Sequence, residues 1–175
     1  MPRLAVVICT YNRSALLLKT LASLYNCGYQ GVEPVDIVVV ANHCSDDTLS
    51  QLARFRDANP QDKLRLSWLE EPKPGKSYAL NTAVENTHHA LLCFIDDDQI
   101  VEHGFLQHLL DGASQYPQDS IFCGRIWPAW DGSEPAWVHA KEPYAIPIRP
   151  FPEFDLGPNA IRTGPHDRFP SGGNI

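Results

Sequence analysis

The amino-acid sequence predicts an α/β fold, a mostly parallel sheet with helices on both faces. Three observations predict it. Short apolar runs rich in β-branched residues recur without polar alternation, as in strands buried on both faces. Each run is followed by a stretch whose apolar residues keep helical spacing. Through residue 127 the two kinds of segment alternate, the order required by a parallel sheet with right-handed crossovers.

Residues 4–9 (LAVVIC) are the first such run, and Thr10-Tyr11-Asn12-Arg13 breaks it. Ser14 is placed to cap a helix with Leu17, Leu18, Leu21, Leu24 and Tyr25 on one face, ending near Cys27-Gly28. Residues 35–40 repeat the strand signature. After the polar loop Asn42-His43-Cys44-Ser45, Ser45 or Asp46 can cap a helix through Leu49, Leu52, Ala53 and Phe55. Residues 64–69 alternate, which predicts a third strand more exposed on one side. Pro72-Lys73-Pro74-Gly75 ends it, and residues 76–87 set Leu80, Ala83, Val84 and Thr87 on one helical stripe. Residues 90–95 form the fourth strand, stopped by Asp96-Asp97-Asp98. Phe105, Leu106, Leu109, Leu110 and Ala113 mark a further helix, and residues 120–127 are expected to supply a fifth strand. Nine of the fifteen prolines then fall from Pro128 onward, so residues 128–175 read as loop or as the incomplete opening of a second subdomain after a domain spanning 1–127.

Composition narrows the function. A chain of 175 residues with 43% apolar side chains buries the core of one globular domain. A formal charge of -7 disfavours wrapping nucleic acid, which needs an excess of Lys and Arg, but allows one nucleotide in a local site. The longest apolar runs fall far short of the roughly 20 residues that cross a bilayer, and the amino terminus lacks the features of a signal peptide. Five cysteines, Cys9, Cys27, Cys44, Cys93 and Cys123, form no CxxC pair, so reduced thiols and a cytoplasmic location are expected.

In an open parallel sheet, ligands sit outside the carboxyl ends of the strands. The polar groups there are Thr10 to Arg13, Asn42 to Asp47, Glu70 to Ser77, and the aspartate triplet. Adjacent carboxylates repel by about 1 kcal/mol per pair in water and more in a cleft, so something should compensate them. Alternation along an extended chain puts Asp96 and Asp98 on one side, a D-x-D pair of hard oxygen donors suited to Mg²⁺ or Mn²⁺. The competing reading is a solvated acidic loop. Pro74-Gly75-Lys76-Ser77 imitates the end of a P-loop, but Glu70 stands where that pattern needs glycine. Gly75 is better read as ending a turn, with Lys73 and Lys76 either solvated or beside a helix N-terminus that favours anions. No G-x-G-x-x-G occurs. Tyr11 can stack on a base or pack in the core, and Asn12 and Arg13 can cap a helix or bind ligand. His88-His89 is expected in a surface or capping role. Trp127, Trp130 and Trp137 can line a sugar-binding wall, against a default of burial in an irregular lid.

Four strings in order, VVICTYNR (residues 6–13), VVVANHCSDDT (38–48), GKSYALN (75–81) and FIDDD (94–98), resemble the family 2 glycosyltransferases of GT-A fold, a Rossmann-like nucleotide-diphospho-sugar transferase architecture. Gly172-Gly173-Asn174 is similar to that family's G-x-N segment. The resemblance implies a UDP-, GDP- or dTDP-sugar donor, with Thr10, Tyr11 and Arg13 near base and ribose and Lys76 near the nucleotide. Asp96 and Asp98 would serve ribose and metal. The donor-binding candidates are thus Thr10, Tyr11, Asn12, Arg13, Asn42, Asp46, Lys76, Asp96 and Asp97, with Asp96 and Asp98 for Mg²⁺ or Mn²⁺. Ala41 replaces an aspartate common in the family, a place that Asn42 or Asp46 can fill. The family's catalytic base lies in an E-D type motif after G-x-N. The sequence ends at Ile175 before any such motif, which suggests truncation, and none of Asp131, Glu134, Glu142, Asp155 and Asp167 stands in a matching context. The activity implied is inverting transfer to a sugar or glycolipid acceptor in polysaccharide or glycoconjugate synthesis, with peripheral association at the inner face of the cell membrane. The alternatives are a fragment that binds donor without transferring it and a sugar-phosphate nucleotidyltransferase.

Overall fold

The computed structural model describes residues 3–117, 121–139, 153–157, 159, 161 and 162. Strands β1 (Leu4–Thr10), β2 (Val35–Asn42), β3 (Leu64–Glu71) and β4 (Leu91–Asp96) alternate with helices α1 (Ser14–Tyr25), α2 (Thr48–Ala58), α3 (Lys76–Asn86) and α4 (Phe105–Gln115). The strands pair in parallel in the order β3-β2-β1-β4. From β1 the chain steps outward through β2 and β3, then returns to lay β4 on the other side of β1. The strand order therefore reverses between β1 and β4, which opens a crevice at their carboxyl ends. The register there sets Cys9 beside both Val40 and Asp96, and Thr10 beside Ala41.

Burial on both faces explains why β1 and β2 read as unbroken apolar runs. On one face Leu4, Val6, Ile8, Ile37 and Val39 pack with Leu17, Leu21 and Leu24 of α1, Leu52 of α2 and Leu106 and Leu110 of α4. On the other, Val7 and Val40 meet Ala79 and Ala83 of α3. Each fully buried leucine stabilises the fold by roughly 2 kcal/mol.

Several local expectations need correction. Ser14 lies in the first turn of α1, behind Arg13 at the cap position, and donates its hydroxyl to Asp47 at 2.8 Å. Asp46 does serve the start of α2, accepting the Thr48 N–H at 3.1 Å, although Asp47 holds the cap position. In α3 Ala83, and Thr87 just past the helix, are buried as expected, but Ala79 joins the buried face and Val84 is 48% exposed. Small alanine side chains let this helix lie close on the sheet, a packing reason that hydropathy does not register. No strand spans the described residues 121–127; Ile126 makes only an isolated antiparallel bridge to Phe154. An apolar alternating run becomes a strand only where a partner satisfies its backbone along its length. His89 is neither a surface nor a capping residue: its ring is largely buried and pairs with Asp36 at 2.6 Å, an oxygen that Arg3 also reaches at 3.2 Å.

The chain divides into two compact units, Met1–Phe122 and Cys123–Asn174. In the second, Arg125 grips Asp155 through two hydrogen bonds of 2.8 Å, and the Trp127 indole donates to the same carboxylate at 3.1 Å. The Arg125 guanidinium also lies 4.1 Å over the Trp127 ring. These hydrogen bonds, those from Arg125 above all, hold the Asp155 carboxyl down at about 2. Trp127, Trp130 and Trp137 are each about half exposed, which corrects the expectation of burial. Among the described residues no helix is long and apolar enough to cross a membrane.

Candidate functional site

The aspartate triplet sits at the end of β4, on the crevice. Asp96 is the last strand residue, and the Gln99 N–H closes a turn onto its carbonyl at 3.3 Å. Extended alternation thus stops at Asp96, yet the turn still sends Asp97 inward and Asp98 outward. Asp97 is 5% exposed. One of its oxygens accepts the Thr10 hydroxyl at 2.7 Å, the other takes Arg13 at 3.2 Å, and its carbonyl accepts the Thr20 hydroxyl at 2.9 Å. Asp98 is half exposed and meets the same Arg13 nitrogen at 3.3 Å. Asp96 pairs with Lys76, the first residue of α3. The compensation that the sequence reading sought in a metal is therefore supplied in part by Arg13 and Lys76.

Two asparagines tie the loops together. Asn12 has φ +51°, a left-handed conformation that asparagine tolerates better than most residues. Its Oδ1 accepts the N–H groups of Ser45 at 2.8 Å and Asp46 at 3.2 Å, joining the first loop to the second. Asn42, at the end of β2, donates to the carbonyls of Lys73 at 2.6 Å and Glu71 at 3.2 Å, and accepts the Gly75 N–H at 2.8 Å. Gly75 has φ +135°, which glycine alone adopts without strain, and α3 starts at the next residue. Asn42 therefore sets the turn that delivers Lys76 to Asp96. His43 adds to this seam, donating its N–H to Glu71 at 2.7 Å and Nδ1–H to the Pro72 carbonyl at 2.9 Å. A carbonyl only accepts, which assigns the proton to Nδ1. The Glu71 carboxyl is held below the usual range, chiefly by the Thr82 hydroxyl and next by the Lys73 N–H.

These contacts divide the sequence candidates. Thr10, Asn42 and Asp97 are buried behind the crevice, and the exposed Asn12 and Asp46 tie its loops together. Tyr11, Arg13, Lys76, Asp96 and Asp98 present surface to it. His43 and Tyr78, which are not among the donor-binding candidates, add ring contacts at this edge. The Tyr11 and His43 rings lie within 21° of parallel with centroids 6.5 Å apart, and Lys73 sits 3.8 Å over the Tyr78 ring. The one signal for His43 was its place directly after a strand. Cys9, next to Asp96 in the register, has its thiol pushed up to about 11, chiefly by burial, so it is neutral at physiological pH.

Among the described residues no three His, Cys, Asp or Glu side chains are arranged to hold a metal. Two outward carboxylates of hard oxygens, each with one oxygen outside its ion pair, fit Mg²⁺ or Mn²⁺, ions that complete their shells with water and substrate phosphates.

Comparison with known proteins bears on the family and the fold. The chain is 28% identical over 115 residues to the GalNAc(5)-diNAcBac-PP-undecaprenol beta-1,3-glucosyltransferase of Campylobacter jejuni, an alignment covering 66% of this chain and 36% of that protein. It is 26% identical over 117 residues to the glycosyltransferase GlyA of Streptococcus pneumoniae, covering 67% of this chain and 16% of that one. The chain thus spans about a third or less of the curated relatives it matches. Among solved structures, the mannosyltransferase PcManGT of Pyrobaculum calidifontis, in complex with GDP-Man and Mn²⁺, superposes with a TM-score of 0.57 at 27% identity, over 70% of this chain and 34% of that one. TarS 1-349 of S. aureus in complex with UDP-GlcNAc shares the fold, with a TM-score of 0.54 at 22% identity over 66% of this chain and 32% of that one. The family model for glycosyl transferase family 2 matches residues 5–172. With its parallel α/β sheet and strand-end site, the chain belongs to glycosyl transferase family 2 and has the GT-A fold.

Proposed function

We propose that the crevice between β1 and β4 binds a nucleotide-diphosphate sugar together with Mg²⁺ or Mn²⁺, and that the protein transfers the sugar to an acceptor hydroxyl with inversion. The observation that carries this reading is the meeting of outward Asp96 and Asp98 with Arg13 and Lys76 at the strand-order reversal, beside the exposed Tyr11–His43 ring pair. Tyr11 and His43 flank the base. Arg13 and Lys76 meet the diphosphate, and Asp96 and Asp98 hold the metal, whose charge stabilises the departing nucleotide diphosphate. Asn12, Asn42, Asp46, Asp97 and Thr10 fix the loops that carry these groups. The GDP-Man and Mn²⁺ in PcManGT support the donor and metal assignment.

Residues 123–174 belong to the acceptor side in this reading. The lipid-linked substrate named for the Campylobacter relative supports a glycolipid acceptor, reached by peripheral association with a membrane surface. Asp155 is a poor general base, because Arg125 and Trp127 occupy its carboxylate. Calorimetry with UDP-, GDP- and dTDP-sugars, with and without Mn²⁺, tests the proposal. One donor is expected to bind in a metal-dependent way; a folded protein that binds none of the three overturns it.

A further inference from the structure

Three adjacent carboxylates at the end of β4 are met by two cations of very different tenure. Arg13 is anchored: Asp97, only 7% exposed at its side chain, holds it from inside. The other contacts lie open, with side-chain exposures of 57% and 35% for Lys76 and Asp96, and 53% and 50% for Arg13 and Asp98. Exposed ion pairs are weak, so their partners exchange readily. Arg13 has five N–H donors in a fixed fork and can keep Asp97 while its remaining donors turn elsewhere. Lys76 opens α3, where free backbone N–H groups favour an anion.

We propose that Lys76 and Arg13 are exchangeable counter-ions for Asp96 and Asp98, and that a divalent cation and a nucleotide diphosphate displace these pairs together. The inference rests on the donor and metal reading above and adds a coupling that the reading does not require. A divalent cation arriving alone competes with Lys76 and Arg13 for the carboxylates and leaves both side chains beside a positive ion. A diphosphate arriving alone draws the two cations away and leaves Asp96 and Asp98 facing each other and the phosphates. When both arrive, the metal takes the carboxylates and the freed cations take the diphosphate. Each ligand therefore raises the affinity for the other, and by linkage it does so by the same factor.

Calorimetry on the full chain tests this with Mn²⁺ alone, UDP or GDP alone, and each nucleotide with Mn²⁺, in the wild type and in Lys76→Gln. The wild type is expected to bind Mn²⁺ at least about 5-fold tighter with saturating nucleotide than without. Lys76→Gln is expected to bind Mn²⁺ alone about 2- to 5-fold tighter than the wild type, a gain produced by deleting a competitor, while its metal-dependent nucleotide affinity falls. Lys73→Gln, which removes the same charge from a side chain lying over Tyr78, should leave Mn²⁺ affinity unchanged and so separates local exchange from net charge. Metal-dependent nucleotide binding by the wild type without the gain in Lys76→Gln, or with an equal gain in Lys73→Gln, overturns the exchange and leaves the donor reading standing. Failure of the folded wild type to bind any nucleotide overturns both.

Discussion

Asn42 and Lys76 lie on the same edge of the sheet, and both were singled out as donor-binding candidates, yet they are held in opposite ways. Asn42 is 5% exposed, and three hydrogen bonds fix its side chain. Lys76 is more than half exposed, with a single ion pair. The contrast extends to their neighbours: Thr10, Asp97 and Asn42 make a buried wall whose polar atoms are satisfied internally, whereas Tyr11, Asp96 and Asp98 face outward with spare capacity. A buried polar group is costly unless paired, so the wall must be complete before any ligand arrives. The open side pays little for its pairs and loses little when they change. A binding site of this kind needs both, a rigid back that sets distances and a front whose contacts are replaceable.

Breaking the wall should have the largest effect. Asn42→Ala leaves the carbonyls of Glu71 and Lys73 and the N–H of Gly75 without the partner they have here, in a place with little water. A loss of about 2–4 kcal/mol of stability is expected, read by urea unfolding, together with loss of nucleotide binding because the turn before Lys76 relaxes. Stability within about 0.5 kcal/mol of the wild type would show that the seam is redundant.

Changing the front should spare the fold. Asp98→Ala removes an exposed carboxylate that meets an arginine, and that arginine keeps its buried partner Asp97. Unfolding should shift by less than about 0.5 kcal/mol, while the Mn²⁺ dependence of donor binding is lost or reduced about tenfold. Equal metal dependence in Asp98→Ala and the wild type would remove Asp98 from the metal site.

The same contrast decides what the sequence made legible. The sheet was readable because β1 and β2 are buried on both faces, and uninterrupted apolar runs such as residues 4–9 have few other uses. The exposed carboxylates and Lys76 were readable because charge and position after a strand carry their meaning without neighbours. The wall was not. Whether Asn42 points at a ligand or at three backbone groups depends on where residues 71–75 pass, which is a tertiary fact. Asp97 looked like its two neighbours until the turn at Asp96 and the hydroxyl of Thr10 showed which way it faces. The expected strand at 120–127 failed for a related reason, since pairing needs a partner that no local pattern specifies. In α3, the burial of Ala79 and the exposure of Val84 reflect close packing of Ala79 and Ala83 on the sheet, which favours small side chains there.

The smallest expected effect lies in the second unit, where wall and front merge in one exposed cluster. Asp155 accepts from Arg125, Trp127 and Gly157, and its carboxyl is held at about 2 against an ordinary 3.8. A depressed acid contributes stability that is present above its unfolded value and is lost as pH falls through the folded one. The cluster's contribution to stability should therefore be complete above about pH 4 and decline as pH falls toward about 2, where the folded carboxylate itself takes up its proton. Since the Trp127 indole donates to this carboxylate, the difference in tryptophan fluorescence between the wild type and Trp127→Phe should titrate around pH 2 and stay flat near pH 4. The same difference taken in an Asp155→Asn background should be flat. A titration that persists without the carboxylate would assign the acid response to other groups around Trp127, and the 125–127 and 153–157 segments would then be joined chiefly by their backbone bridge at Ile126 and Phe154.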